Sequence, residues 1–164
     1  MIAPRHLDVL RKIRARLEHA DVNWVVTGSV GFALQGVPVS PDDLDIQTDE
    51  AGAYEIERLF SEFVVRKVAF SSAERIRSHF GVLSVDGVTV ELMGDIQKKR
   101  DDGSWDNPVD LDRHKRVVEI EGISVPVLSL EYECDAYKRL GRTDKAAMLE
   151  RWLRRDEWRS LRIR

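Results

Sequence analysis

Residues 43–46 read Asp-Leu-Asp-Ile, a run that very few local structures accommodate. In a β-strand, residues i and i+2 point to the same face, about 6–7 Å apart. Leu44 and Ile46 then anchor one face in a core, while Asp43 and Asp45 present two carboxylates side by side on the other. Like charges held this close are unfavourable unless something cationic lies between them. Hard oxygen ligands at this spacing suit Mg2+ or Mn2+ together with bound phosphate. The competing reading is a solvated turn after Pro38 and Pro41.

Two further segments bear on that choice. Val88-Thr-Val-Glu91-Leu92 alternates as a strand, with Val88, Val90 and Leu92 on one face and Thr89, Glu91 and Met93 on the other. Glu91 is a candidate third carboxylate from a neighbouring strand; otherwise it is an edge charge that deters aggregation. Asp95 shares its parity and stands in reserve. Upstream, the apolar strand Trp24–Thr27 is broken by Gly28-Ser29, and Val30 to Gln35 opens a helix. Glycine lets the backbone approach a phosphate, and a helix start offers free N–H groups. The Ser29 hydroxyl can add a donor.

The remaining pattern sets the architecture. Leu10, Ile13, Leu17 and Ala20 step by three and four, which predicts a helix over about His6–His19. A second helix is expected over Ala51–Phe60, then a β-rich run from Phe63 to Phe70. Asp86-Gly87 and Glu121-Gly122 each sit between alternating apolar runs, the signal of a tight hairpin turn, weaker for Glu-Gly. Asp95–Asp112 reads as a polar loop, Ser129 caps a helix from Leu130, and a last helix spans about Thr143–Trp158. This order predicts an α+β fold, a mixed sheet flanked by helices. One domain is expected over 1–164, with its core in about 22–128 and C-terminal helices in about 129–158.

Composition narrows the function classes. With 43% hydrophobic and 34% charged residues the chain is globular, and its net charge of -3 excludes a globally basic nucleic-acid binder but not a local basic patch. The single cysteine, Cys134, permits no internal disulfide and reads as a buried thiol in a reducing compartment. No window suggests a membrane span or leader peptide, so a cytoplasmic protein is expected. His6, His19 and His114 lack paired-ligand spacing, which argues against zinc, and His79 reads as a hairpin surface residue. The basic run from Arg151 to Arg164, with Trp152 and Trp158, reads as an amphipathic helix in preference to an RNA-contacting tail.

Thr27-Gly28-Ser29, a thirteen-residue spacer from Val30 to Asp42, Asp43-Leu-Asp45-Ile and the later Val90-Glu91-Leu92 together resemble the nucleotidyltransferase superfamily. That group includes polymerase-β-like enzymes, aminoglycoside and lincosamide nucleotidyltransferases, and small members of toxin–antitoxin pairs. The resemblance continues through Leu128-Ser-Leu-Glu131 to Ala136-Tyr-Lys138-Arg-Leu-Gly141-Arg142-Thr-Asp-Lys145. The Arg-Thr that precedes the Asp pair in many relatives is absent here, with Ser40 in the place of the threonine.

The resemblance implies a nucleotidyltransferase fold and metal-dependent transfer of a nucleoside monophosphate from a nucleoside triphosphate (NTP) to an acceptor hydroxyl, with pyrophosphate released. By position it implies Asp43, Asp45 and Glu91 as catalytic and metal-binding residues for Mg2+ or Mn2+. It likewise implies Gly28, Ser29, Lys138, Arg142 and Lys145 at the nucleotide, ATP among the candidates. The acceptor is a small molecule, a protein or a tRNA end, and a homodimer is compatible. The alternative is a non-catalytic member, an antitoxin-like partner of another protein.

Overall fold

The computed structural model describes residues 2–162, with side chains described through Arg155. Helix α1 (Pro4–Leu17) opens with proline in its first turn and buries Leu7, Leu10, Ile13 and Leu17. Strand β1 (Trp24–Thr27) leads straight into α2 (Gly28–Leu34), followed by a loop and β2 (Leu44–Thr48). Helix α3 (Glu50–Leu59) is capped by the Asp49 carboxylate, which accepts from Gly52 N at 2.6 Å. Then come β3 (Val64–Ser72), β4 (Ile76–Val85), β5 (Val88–Lys98), the short α4 (Leu111–His114), β6 (Lys115–Ile120), β7 (Ile123–Leu128), α5 (Leu130–Arg139) and α6 (Thr143–Arg162). The side chains of Trp158 and of the arginines beyond it lie outside the described residues.

The strands form one mixed sheet in the order β3-β4-β5-β2-β1-β7-β6. Strand β1 runs antiparallel to β2 and parallel to β7, while β2 runs parallel to β5. Both expected hairpins are present. Asp86 (φ 50) with Gly87 (φ 82), and Glu121 (φ 43) with Gly122 (φ 81), take the paired positive φ that a tight two-residue turn requires.

One face of the sheet carries Val26, Leu44, Ile46, Val90, Leu92 and Val127 into the main core with α1 and α3. The other face is partly covered by α5, held to α6 and α2 through a second cluster around Phe32, Leu130, Cys134 and Leu149. The buried Cys134 thiol faces the Ala146 carbonyl at 3.4 Å.

Strand β5 departs from the sequence reading. It continues through Asp95 to Lys98, where a polar loop was expected. His79 pairs with Gly94 and Arg77 with Gln97, so Asp95 and Ile96 together oppose Ser78 in a β-bulge. Asp95 takes φ 51 there. A bulge inserts one residue and reverses which side the following residues face. Glu91 and Met93 before it, and Ile96 and Lys98 after it, therefore line the same crevice. Asp95 does not line it, so the reserve candidate is lost.

Candidate active site

The site lies on the sheet face beneath α5. Thr27 pairs with Asp45 and Asp45 with Glu91, which places the three in one row across β1, β2 and β5. Between this row and α5 runs a crevice of about 200 Å3. Asp45 and Glu91 face each other there as partners on adjacent strands. Burial first, then the facing Glu91, push the Asp45 carboxyl up to about 7; Asp43 adds to the push and Lys145 opposes it. A facing acid disfavours the charged form of Asp45, and a cation between the two would reverse that.

Asp43 sits at a bend one residue before β2, half-buried and outside the crevice lining. The expected triad is thus a facing pair with a third carboxylate at its edge. Among the described residues, no three of His, Cys, Asp and Glu converge as a metal-holding group. The cause is local: β2 begins at Leu44, so Asp43 does not share the strand geometry of Asp45. The loop before it is pinned by the buried His6, whose Nε2 lies 2.7 Å from the Asp42 carbonyl.

Gly28 takes φ +68, and a Cβ there would overlap Asp45 Oδ2. Only glycine admits both the left-handed backbone and the carboxylate against it. Its N–H, however, donates to Glu133 at 3.1 Å instead of standing free. Ser29 is half-buried in the first turn of α2, outside the crevice lining. Arg142 does line it, with its guanidinium 5.9 Å from the Tyr137 ring centre, and Lys145 Nζ lies 5.4 Å from the same ring. Lys138 points elsewhere, pairing with Glu150 at 3.4 Å.

Two charged residues of the crevice were not singled out by sequence. Glu133 of α5 is 3% exposed and accepts from the Thr27 hydroxyl and from Gly28 N through Oε1, while its Oε2 has no partner among the described residues. Burial pushes this carboxyl up to about 8; the Thr27 and Gly28 bonds and Lys145 restrain it, and Asp45 adds to it. The available signal was a glutamate among Leu130, Cys134 and Tyr137, on the apolar stripe of α5. Lys98 is 6% exposed and bonds the Tyr132 hydroxyl at 2.7 Å. Burial and the nearby Arg139 pull its ammonium down to about 8, against the pull of Asp106. Its place depends on the bulge, which has no mark in the sequence.

His79 lies away from this crevice. It stands between Tyr54 of α3, with Nδ1 3.2 Å from the hydroxyl, and Phe70.

A mixed sheet that carries an acid pair on adjacent strands, beside a glycine turn opening a helix, is the arrangement of a nucleotidyltransferase. A profile of the aminoglycoside-2''-adenylyltransferase family matches residues 9–150, and the chain belongs to that family. The crystal structure of TM1012 from Thermotoga maritima, itself assigned as a nucleotidyltransferase only provisionally, superposes with a TM-score of 0.84 at 62% identity, over 94% of this chain and 96% of that one. Two more distant structures share the fold. The lincosamide antibiotic adenylyltransferase LnuA, bound to lincomycin, matches at TM-score 0.56 and 15% identity, over 91% of this chain and 97% of its own. ANT(2'')-Ia, in complex with adenylyl-2''-tobramycin, matches at TM-score 0.59 and 12% identity, over 97% and 95%. A search of curated proteins returns no match. Among the described residues no helix is long and apolar enough to cross a membrane.

Proposed function

We propose that this nucleotidyltransferase moves a nucleoside monophosphate from an NTP, ATP foremost, to an acceptor hydroxyl, with release of pyrophosphate. The observation that carries the reading is the Asp45–Glu91 pair, two half-buried carboxyls facing each other across adjacent strands. The adenylyl chemistry named for LnuA and ANT(2'')-Ia supports ATP as the donor.

The donor set fits Mg2+ or Mn2+. Such ions are commonly held by one or two carboxylates with waters and substrate phosphates completing the shell, so a facing pair suffices. Asp45 and Glu91 would hold the ion, with Asp43 at the edge. When bound it supplies positive charge to the triphosphate and the acceptor oxygen.

The chain's own residues do the rest. Glu91 takes the proton of the acceptor hydroxyl. The freed oxygen forms a bond to the α-phosphorus, the bond from that phosphorus to its bridging oxygen breaks, and pyrophosphate leaves with the electron pair. Arg142 and Lys145, flanking Tyr137, offset the charge of the phosphates, with Lys138 further out. Gly28 gives the clearance that Asp45 needs, Ser29 offers its hydroxyl at the start of α2, and Glu133 fixes the turn that carries both.

The test is calorimetric titration of ATP, CTP, GTP and UTP with and without Mg2+, on the wild type and on Asp45→Asn/Glu91→Gln. Metal-dependent binding that the double variant loses is the expected result. No binding of any nucleotide to folded wild type overturns the reading.

A further inference from the structure

A second cavity opens at the far end of the crevice, with a volume of about 560 Å3. Five cationic side chains line it, Arg75, Lys99, Arg100, Lys138 and Arg139, against two acidic ones, Asp101 and Asp106. Asp106 is already engaged by Arg100 at 2.8 Å and by Arg139. Arg75 and Lys99 are exposed and form no ion pair among the described residues. Their backbones are joined by Lys99 N donating to the Arg75 carbonyl at 2.9 Å, so the two charges are held on neighbouring strand ends.

The groove and the acid crevice are lined by consecutive residues. Ile76, Lys98 and Leu140 line the crevice; Arg75, Lys99 and Arg139 line the groove. Strand β5 carries Glu91 near one end and Lys98 at the other, with Lys99 the next residue along the chain. At the junction Lys98 is buried, bonded to the Tyr132 hydroxyl and in no salt bridge among the described residues. A buried ammonium with one neutral hydrogen-bond partner is stabilised further when an anion comes to it.

We infer that the acceptor carries phosphate and lies along β5, with its hydroxyl at Glu91 and its phosphate in the Arg75–Lys99–Arg139 groove. The inference rests on the transferase reading above and gives it a substrate class. The charge is opposite to what the family's name suggests. An aminoglycoside is a polycation at neutral pH, and this groove would repel it. Planar guanidinium groups fit the paired oxygens of a phosphate. Six steps along α5 from Glu133 to Arg139, and seven along β5 from Glu91 to Lys98, bound the separation of hydroxyl and phosphate at roughly 9–23 Å. That span suits a nucleotide chain or a pyrophosphate-linked molecule better than a sugar monophosphate.

The experiment compares the wild type with Arg75→Glu/Lys99→Glu, which alters two exposed groove residues outside the proposed nucleotide and metal set. Four probes are titrated by calorimetry at low salt: a tetraribonucleotide with a free 3'-hydroxyl, ribose 5-phosphate, tobramycin, and a non-hydrolysable ATP analogue with Mg2+. The first three are run with and without the analogue. The expected result is that at least one phosphate probe binds the wild type, weakens as salt rises and loses at least tenfold in affinity in the variant. Tobramycin is expected not to bind, and the analogue to bind both proteins alike. Which phosphate probe binds tells a nucleotide chain from a small sugar phosphate. Tobramycin binding in place of both phosphate probes, equal phosphate binding by the variant, or loss of the ATP analogue in the variant overturns the inference. Failure of the analogue on the wild type counts against the transferase reading and leaves the phosphate titrations without nucleotide as a separate answer.

Discussion

The two faces of the central strands are built from alternate residues of the same segments. Leu44, Ile46, Val90 and Leu92 are fully buried against α1 and α3. Their immediate neighbours Asp45, Gln47, Glu91 and Met93 line the crevice. The first face is satisfied: apolar groups meet apolar groups. The second holds an acid pair, an unpartnered Glu133 oxygen and an unpartnered Gln47 oxygen, all of which lack something in the protein alone. Stability and chemistry are therefore divided by strand parity, and each stabilises at the other's expense only where the backbone is shared.

The division can be tested by substitution. Leu92→Ala should cost about 2–5 kcal/mol of unfolding free energy, read by urea denaturation, because a closed core cannot collapse onto the missing atoms. Glu133→Gln is the next largest. Its carboxyl is raised from the ordinary 4.5 to about 8 in the fold, so the folded state holds the proton more tightly than the unfolded chain. Wild-type stability is then complete below pH 4.5 and falls as pH rises through about 8. The glutamine variant should remove that decline, an effect on the order of a few kcal/mol at pH 8.5 and near zero at pH 4.5, seen in unfolding curves across the range.

Gly28→Ala should cost about 1–3 kcal/mol, from the left-handed backbone and the collision with Asp45, and should abolish nucleotide binding in the calorimeter. The smallest expected effect is opposite in sign. Asp45→Asn removes one of two facing acids and, in EDTA, should leave stability unchanged or raise it by about 1 kcal/mol while activity disappears. A large destabilisation by that variant would mean that the crevice face carries the fold as much as the core face does.

Parity also explains what the sequence showed. Asp45 and Glu91 were legible because period-two alternation names both the face and the neighbours, and Asp86-Gly87 fixed the hairpin that carries Glu91. The mixed sheet followed from the order of the elements. Asp43 stands at the edge of the pair instead of within the strand because alternation does not say at which residue a strand begins. Asp95, Ile96 and Lys98 were misread for a stronger reason: an extra residue in the ladder reverses the faces, and the local composition is silent about it. Glu133 was readable in principle, since a carboxylate on an apolar helical stripe requires explanation. A first-turn acid is so ordinary, however, that its favourable helix-dipole position concealed it.

The bulge at Asp95 acts on β5 as a frameshift acts on a message. Every position downstream keeps its identity and changes its assignment. Upstream of it, an even-numbered residue faces the core; downstream, the even-numbered Ile96 and Lys98 line the crevice. When relatives are aligned, a single gap or insertion at this point exchanges one lining for another, and chains with nearly the same catalytic row can be directed to different substrates.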